Sequence, residues 1–212
     1  MIAVATLLAA GLWSAAPTQT QDKRKENMGG RLSKPRILPL KKEEWTDEQR
    51  QLLERFYREG QPYNVQGTLG QNWEAYKNYY VWATYVIGRN STLPPREREL
   101  LLLRTGWLCQ SEYEWGHHVV MGKAAGLTDV EIARIKEGPD ARGWQPFDAT
   151  LLRTADELHK NAFISDATWA ALSERYNTKQ LIDTVLAVGQ YTMVSMALNS
   201  FGVQLDTGVK GF

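Results

Sequence analysis

PPRERELLLLRTGWLCQSEYEWGHHVVMGKAAG, residues 94–126, is the stretch from which the rest of the chain is read. It holds the only cysteine, two of the three histidines and four glutamates, set beside the longest apolar run after the N-terminus. Pro94 and Pro95 suit the first turn of a helix, where a missing N–H costs nothing. The helix they open is expected to reach about Gln110. It is apolar on nearly every side through Leu100, Leu101, Leu102, Leu103, Trp107 and Leu108, so most of its faces should be buried. Ser111-Glu112-Tyr113-Glu114 has the form of a capping box, with Ser111 as N-cap and Glu114 at N3. It starts a second helix that Gly126 closes.

Working outward, Thr128 to Glu131 repeats the capping pattern and begins a third helix ending at Gly138-Pro139. Asp148 is read as the cap of an amphipathic helix with a Leu151, Leu152, Ala155, Leu158 stripe, and its His159 as a surface or capping residue. Ser165 or Asp166 caps a short helix to Tyr176, and residues 178–201 form a long apolar helix that is central or lies in a subunit interface. Toward the N-terminus, Thr46 to Gln49 caps a helix carrying Leu52, Leu53, Phe56 and Tyr57, which Gly60 and Pro62 end. Residues 61–72 read as a loop, and residues 73–87 as an aromatic-rich helix closed by Gly88. No strand pattern and no internal repeat is found. The expected fold is all-α, an orthogonal multi-helix bundle.

Of the 212 residues, 43% are hydrophobic and 23% charged, with eight tryptophans, which is the make-up of an ordinary globular domain, placed at 45–212. A net charge of +1 gives no field to draw the chain onto nucleic acid or an anionic membrane, so a small-molecule partner is expected. Residues 1–21, apolar and then rich in small side chains, read as a signal peptide for a secreted or periplasmic protein, with no stable membrane insertion. No Lys or Arg precedes Lys23, which leaves a mis-assigned start and a cytoplasmic chain as the alternative. Residues 22–44 carry eight basic side chains among glycines and prolines and read as a flexible arm. The single Cys109 excludes an internal disulfide.

Ser111, Glu114 and His118 lie at i, i+3 and i+7 on one helix and therefore share a face. Glu114 and His118 are four apart, a spacing at which a carboxylate and an imidazole exchange a proton. Glu99, on the preceding apolar helix, is either at its exposed first turn or paired inside. Each residue also has a structural explanation, as cap, N3 partner or surface histidine. His117 points about 100° away and cannot join that face. There is no HExxH, and Glu114, His117 and His118 cannot converge from one helix, so no metal is expected. Cys109 lacks a CxxC partner and reads as a buried thiol.

The stretch from Arg96 to Ile132, with RERELLLLRT, SEYEWGHHV and AAGLTDVEI, resembles the carboxymuconolactone decarboxylase family, which shares its all-helical fold with the alkyl hydroperoxide reductase D-like proteins. In the redox branch of that superfamily the signature is a Glu, eleven residues, then Cys-x-x-Cys-x-x-x-His. Here the same frame reads Glu99, eleven residues, Ser111-x-x-Glu114-x-x-x-His118. The loss of both cysteines removes the attacking and resolving thiols that disulfide chemistry needs. The resemblance implies a cofactor-free lyase or isomerase acting on a small carboxylate or lactone. His118 would be the proton shuttle, Glu114 its partner and Glu99 the orienting carboxylate. Ser111 would donate to a substrate oxygen, Arg104 would pair with Glu99 or hold a substrate carboxylate, and Trp115 would be pocket wall or core. A homo-oligomer with its site near a subunit interface is implied as well. The alternatives are a peroxidase or disulfide reductase using Cys109 and a non-catalytic oligomeric binding protein.

Overall fold

Four leucines decide where the core sits. Leu100, Leu101, Leu102 and Leu103 are all fully buried, because the helix that carries them is enclosed on every side. The computed structural model describes residues 32–58 and 61–212, so the expected signal peptide and the first part of the arm lie outside the described residues. Among the described residues there are nine α-helices: α1 Asp47–Leu53, α2 Asn64–Leu69, α3 Trp73–Ile87, α4 Pro95–Leu108, α5 Glu112–Ala124, α6 Asp129–Glu137, α7 Pro146–Asn161, α8 Asp166–Ser173 and α9 Thr178–Phe201. α4 is the hub, packed against α5, α6, α7 and α9.

In the charged first turn of α4, Glu97, Arg98 and Glu99 are buried as well and Arg96 is half-buried, and each charge has a destination on a different element. Arg96 forks onto Asp148 of α7 at 3.0 and 2.9 Å and also meets Glu131 of α6. Glu97 takes the guanidinium of Arg175 and the hydroxyl of Tyr176, the latter at 2.6 Å. Arg98 reaches back to the carbonyl of Gly88 at the end of α3, and Glu99 turns to His118 of α5. The Arg96 pairing overturns the expected cap: α7 starts at Pro146 with Gln145 as N-cap, and Asp148 sits in the first turn, where Arg96 holds its carboxylate.

α9 is long and apolar enough to cross a membrane by composition, yet over half of its most apolar window is buried in the core, against α3, α4, α7 and α8. Its end is closed by Gly202 in the left-handed region. A Cβ at Gly202 would lie 2.8 Å from the carbonyl of Lys34, so the segment before the first helix runs directly over this end. That segment is held rather than loose. Arg36 and Ile37 donate their N–H groups to Phe201, Gln204 donates to Leu32, and Leu40 donates to Gly67.

Two further expectations change. Residues 61–72 contain the helix α2, whose sequence NVQGTL has little helical propensity of its own and depends on contacts made elsewhere. Its first N–H is taken by Asp206 at 2.8 Å, and Gly67 leaves room for Pro39. A two-residue antiparallel ribbon, β1 Tyr57–Arg58 with β2 Gln61–Pro62, precedes it.

Arg104 is the least replaceable polar side chain in this scaffold. It forks onto Asp156 at 2.6 and 2.9 Å and donates to the carbonyls of Ile135 and Lys136 at the end of α6. Replacing it with methionine leaves three acceptors unpaired, so Arg104→Met is expected to lose about 2–4 kcal/mol in urea unfolding. The loss should come without a change in the midpoint of His118 titration.

Candidate active site

α5 folds back on α4 through a three-residue turn. Cys109 ends α4, Gln110 takes a positive φ of 51°, and the N–H of Ser111 donates to the carbonyl of Gly106 at 2.9 Å. A Cβ at Gly106 would meet Glu114 and the backbone of Trp115 at 3.5 Å, so a larger residue would press the two helices apart. The hairpin brings the Glu114 and His118 face of α5 against the first turns of α4.

There, His118 lies between two carboxylates. Its Nδ1 is 2.6 Å from Glu99 Oε2, and its Nε2 is 3.5 Å from Glu114 Oε2. The ring edge of Tyr191, from α9, packs on the imidazole with centroids 4.7 Å apart. Glu99 is 1% exposed, His118 4% and Glu114 7%, so the three expected acid/base groups converge inside the protein rather than facing open water. The second oxygen of Glu99 has the Arg98 guanidinium at 3.5 Å and no hydrogen-bond donor.

The expected capping box at Ser111 does not form. Ser111 is the N-cap by backbone, but its hydroxyl accepts nothing from the helix, and Glu114 turns inward instead of back to the cap. The Ser111 hydroxyl, expected to donate to a substrate oxygen, is fully buried without a partner.

Burial sets the electrostatics. It pushes the Glu114 carboxyl above the usual carboxylate range, against the pull of His118 and His117, with the charge of Glu99 adding to the rise. For His118, burial works against the charged form. The charge of Glu99, its hydrogen bond and the charge of Glu114 outweigh that, and the imidazole ends above its ordinary value. Tyr191 is held well above its usual range by burial and then by the charge of Glu114. The cluster therefore favours a charged His118 held by Glu99, next to a carboxyl that keeps its proton more readily than usual. Nδ1 is committed to Glu99, so Nε2 is the nitrogen that can pass a proton on.

Other expectations separate from this centre. Arg104 does not reach Glu99 and belongs to the Asp156 fork described above. Trp115 points to Trp107 and Phe212, with Lys136 over its face, and is core rather than a wall of the cluster. His117 bonds Asp206 at 2.9 Å together with the Tyr113 hydroxyl, tying the C-terminal segment to α5. Cys109 is buried with its Sγ 3.7 Å from Nδ1 of His159. Among the described residues no group of three or more His, Cys, Asp or Glu side chains is arranged to hold a metal ion. Sequence reasoning missed Tyr191 and Arg98. The signal available for Tyr191 was its place among Asp183, Thr184, Gln190 and Ser195, polar residues in an apolar helix that all prove buried.

The sequence profile of the Carboxymuconolactone decarboxylase family matches residues 69–145, a span that contains the whole α4–α5 hairpin. Among solved structures the fold is that of the alkylhydroperoxidase AhpD core, seen in an uncharacterised peroxidase-related protein from Ralstonia eutropha JMP134. That protein is 17% identical, with a TM-score of 0.68 over 76% of this chain and 87% of that one. A peroxidase-related protein from Silicibacter sp. TM1040 gives 16% identity and a TM-score of 0.69 over 84% and 92%. The debrominase Bmp8 gives 10% and 0.65 over 81% and 92%. Curated protein sequences give no significant match. The all-α expectation and the family resemblance both stand on these findings.

The raised pKa values carry a sign. Both groups bind protons more tightly folded than unfolded, so their contribution to stability is fullest at low pH and falls as pH rises from the ordinary carboxylate value through the raised pKa of Glu114. It falls again as pH passes from the ordinary histidine value through that of His118. Glu114→Gln should remove the first decline in a pH series of denaturant midpoints. Glu99→Gln should lower the His118 pKa, read by NMR, by about one unit or more.

Proposed function

From an AhpD-like fold with a carboxymuconolactone decarboxylase family match over its central hairpin, we propose that this chain is a cofactor-free acid/base enzyme, a lyase or isomerase acting on a small carboxylate or lactone. The observation that carries this reading is the placement of His118 between Glu99 and Glu114 inside the protein. Glu99 fixes the imidazole through Nδ1 and stabilises its charge. Glu114, ionised, takes the proton from carbon, and Nε2–H of the charged His118 supplies the proton that is returned. The developing enolate oxygen is met by hydrogen bonding, for which the buried Ser111 hydroxyl is the available donor.

A redox reading has one observation in its favour, the imidazole of His159 beside the Cys109 thiol. Against it, Cys109 stands two residues before Ser111, and no second cysteine exists to resolve an oxidised intermediate.

α9 also supports assembly into a homo-oligomer. Ile182, Leu186, Met193 and Met196 recur on one face and are 41–59% exposed, a stripe suited to the same helix of a second copy.

In a screen of lactones and small carboxylic acids, His118→Ala should abolish turnover. Glu114→Gln should lower kcat by about 100-fold or more, and Cys109→Ser should change little. Full activity in His118→Ala would sink the assignment. The pH profile should be bell-shaped, with its acid limb above the ordinary carboxylate value and its basic limb above the ordinary histidine value. Leu186→Glu should reduce the mass seen by light scattering to that of the single chain.

A further inference from the structure

The buried cluster needs a route by which a substrate reaches it, and neither of the two large clefts is lined by Glu99, Glu114 or His118. One of them shares helix α9 with the cluster. A cleft of about 510 Å3 lies between α3 and α9, roofed by Ile37 and floored by α2. Tyr79 is in its wall and Val194 in the opposite wall. Tyr191, less than one turn before Val194 on α9, carries its ring onto His118 at 4.7 Å. One stretch of α9 therefore carries both a residue of the cleft wall, Val194, and the ring that covers His118, Tyr191.

The walls define what fits. Leu69, Tyr76, Tyr79, Met193 and Phe201 make the lining apolar and aromatic, and no charged side chain takes part. A carboxylate here would lose its water and gain no counter-ion, which costs several kcal/mol. The polar members are Thr68, Gln71 and Asn72. Asn72 caps α3, Gln71 donates to Leu38, and Thr68 is 3% exposed with a hydroxyl that has no partner. The volume is that of a small-molecule site.

We propose that the cleft between α3 and α9 is the substrate-binding site of this chain and takes an uncharged, flat ring compound bearing one hydrogen-bonding oxygen, such as a ring lactone, with Thr68 as its polar anchor. The inference rests on the acid/base reading and sharpens it: an uncharged substrate brings no carboxylate to expel, so the chemistry at the cluster is proton transfer at a carbon next to a carbonyl. Tyr191, the ring that covers His118, is the side chain that moves to admit that carbon to Glu114 and His118.

The test uses the full chain and two neutral probes. Nile red should bind with enhanced fluorescence, and coumarin, a neutral bicyclic lactone, should displace it. Naphthoate, of similar shape but charged, should displace it about tenfold less well or worse. Ala75 is an exposed residue of α3 at the cleft edge, so Ala75→Trp fills the cleft with little strain and should weaken both neutral probes about tenfold while leaving the melting temperature unchanged. Thr68→Val keeps the shape and should weaken coumarin about threefold to tenfold with little effect on Nile red. Naphthoate displacing as well as coumarin, or unchanged probe binding in a folded Ala75→Trp variant, would overturn the proposal. The failures are separable. Unchanged binding in Ala75→Trp with activity lost in His118→Ala removes the cleft and leaves the acid/base reading. Binding lost in Ala75→Trp with activity kept in His118→Ala does the reverse.

Discussion

An anion with 1% exposure must have a partner, and for Glu99 that partner is His118, 2.6 Å away on the next helix. Breaking a buried pair of this kind costs about 3–5 kcal/mol, a large part of the 5–15 kcal/mol that holds a typical domain folded. The α4–α5 hairpin is therefore not one packing solution among several. It is the arrangement in which the charge on the most apolar helix is satisfied, and the tight turn at Gln110 and the small Gly106 follow from it. The other three charges of the RERE run extend the same logic, each fixing α4 to a different neighbour, so one turn of helix sets the positions of α3, α6 and α7.

The same contact that stabilises the hairpin prepares its chemistry. A carboxylate on Nδ1 leaves Nε2 as the exchangeable position, and the low-dielectric surroundings hold Glu114 nearer to neutrality than a surface glutamate. In the redox signature the frame positions 111 and 114 are cysteines. Here they are a hydroxyl with no partner and a carboxyl with a raised pKa, the two features on which the acid/base proposal rests. Tyr191 from α9 covers the imidazole of this centre.

Most helices could be read directly from caps and periodicity. Thr46, Thr128 and Ser165 cap as their spacing requires, because those bonds are local. The failures share a cause. Asp148 reads as a cap until Arg96, 52 residues earlier, claims its carboxylate, and α2 reads as a loop until Asp206 and Pro39 are beside it. Helical spacing put Glu114 and His118 on one face, but it carries no information on the element facing them. Tyr191 therefore stayed hidden, and Arg104, read as a partner of Glu99 or of a substrate carboxylate, is held by Asp156. The capping box at Ser111 failed for the same reason: an inward-facing histidine outcompetes the helix terminus for Glu114.

Gly202 and the segment crossing it give the fold a linkage between its two ends. Ile37 is both a wall of the apolar cleft and a donor to Phe201, the last residue of α9 and itself part of that cleft. A ligand in the cleft and the attached N-terminal strap would thus share the same residues, and thermodynamic reciprocity requires that whatever one does to the free energy of the other is returned in equal measure.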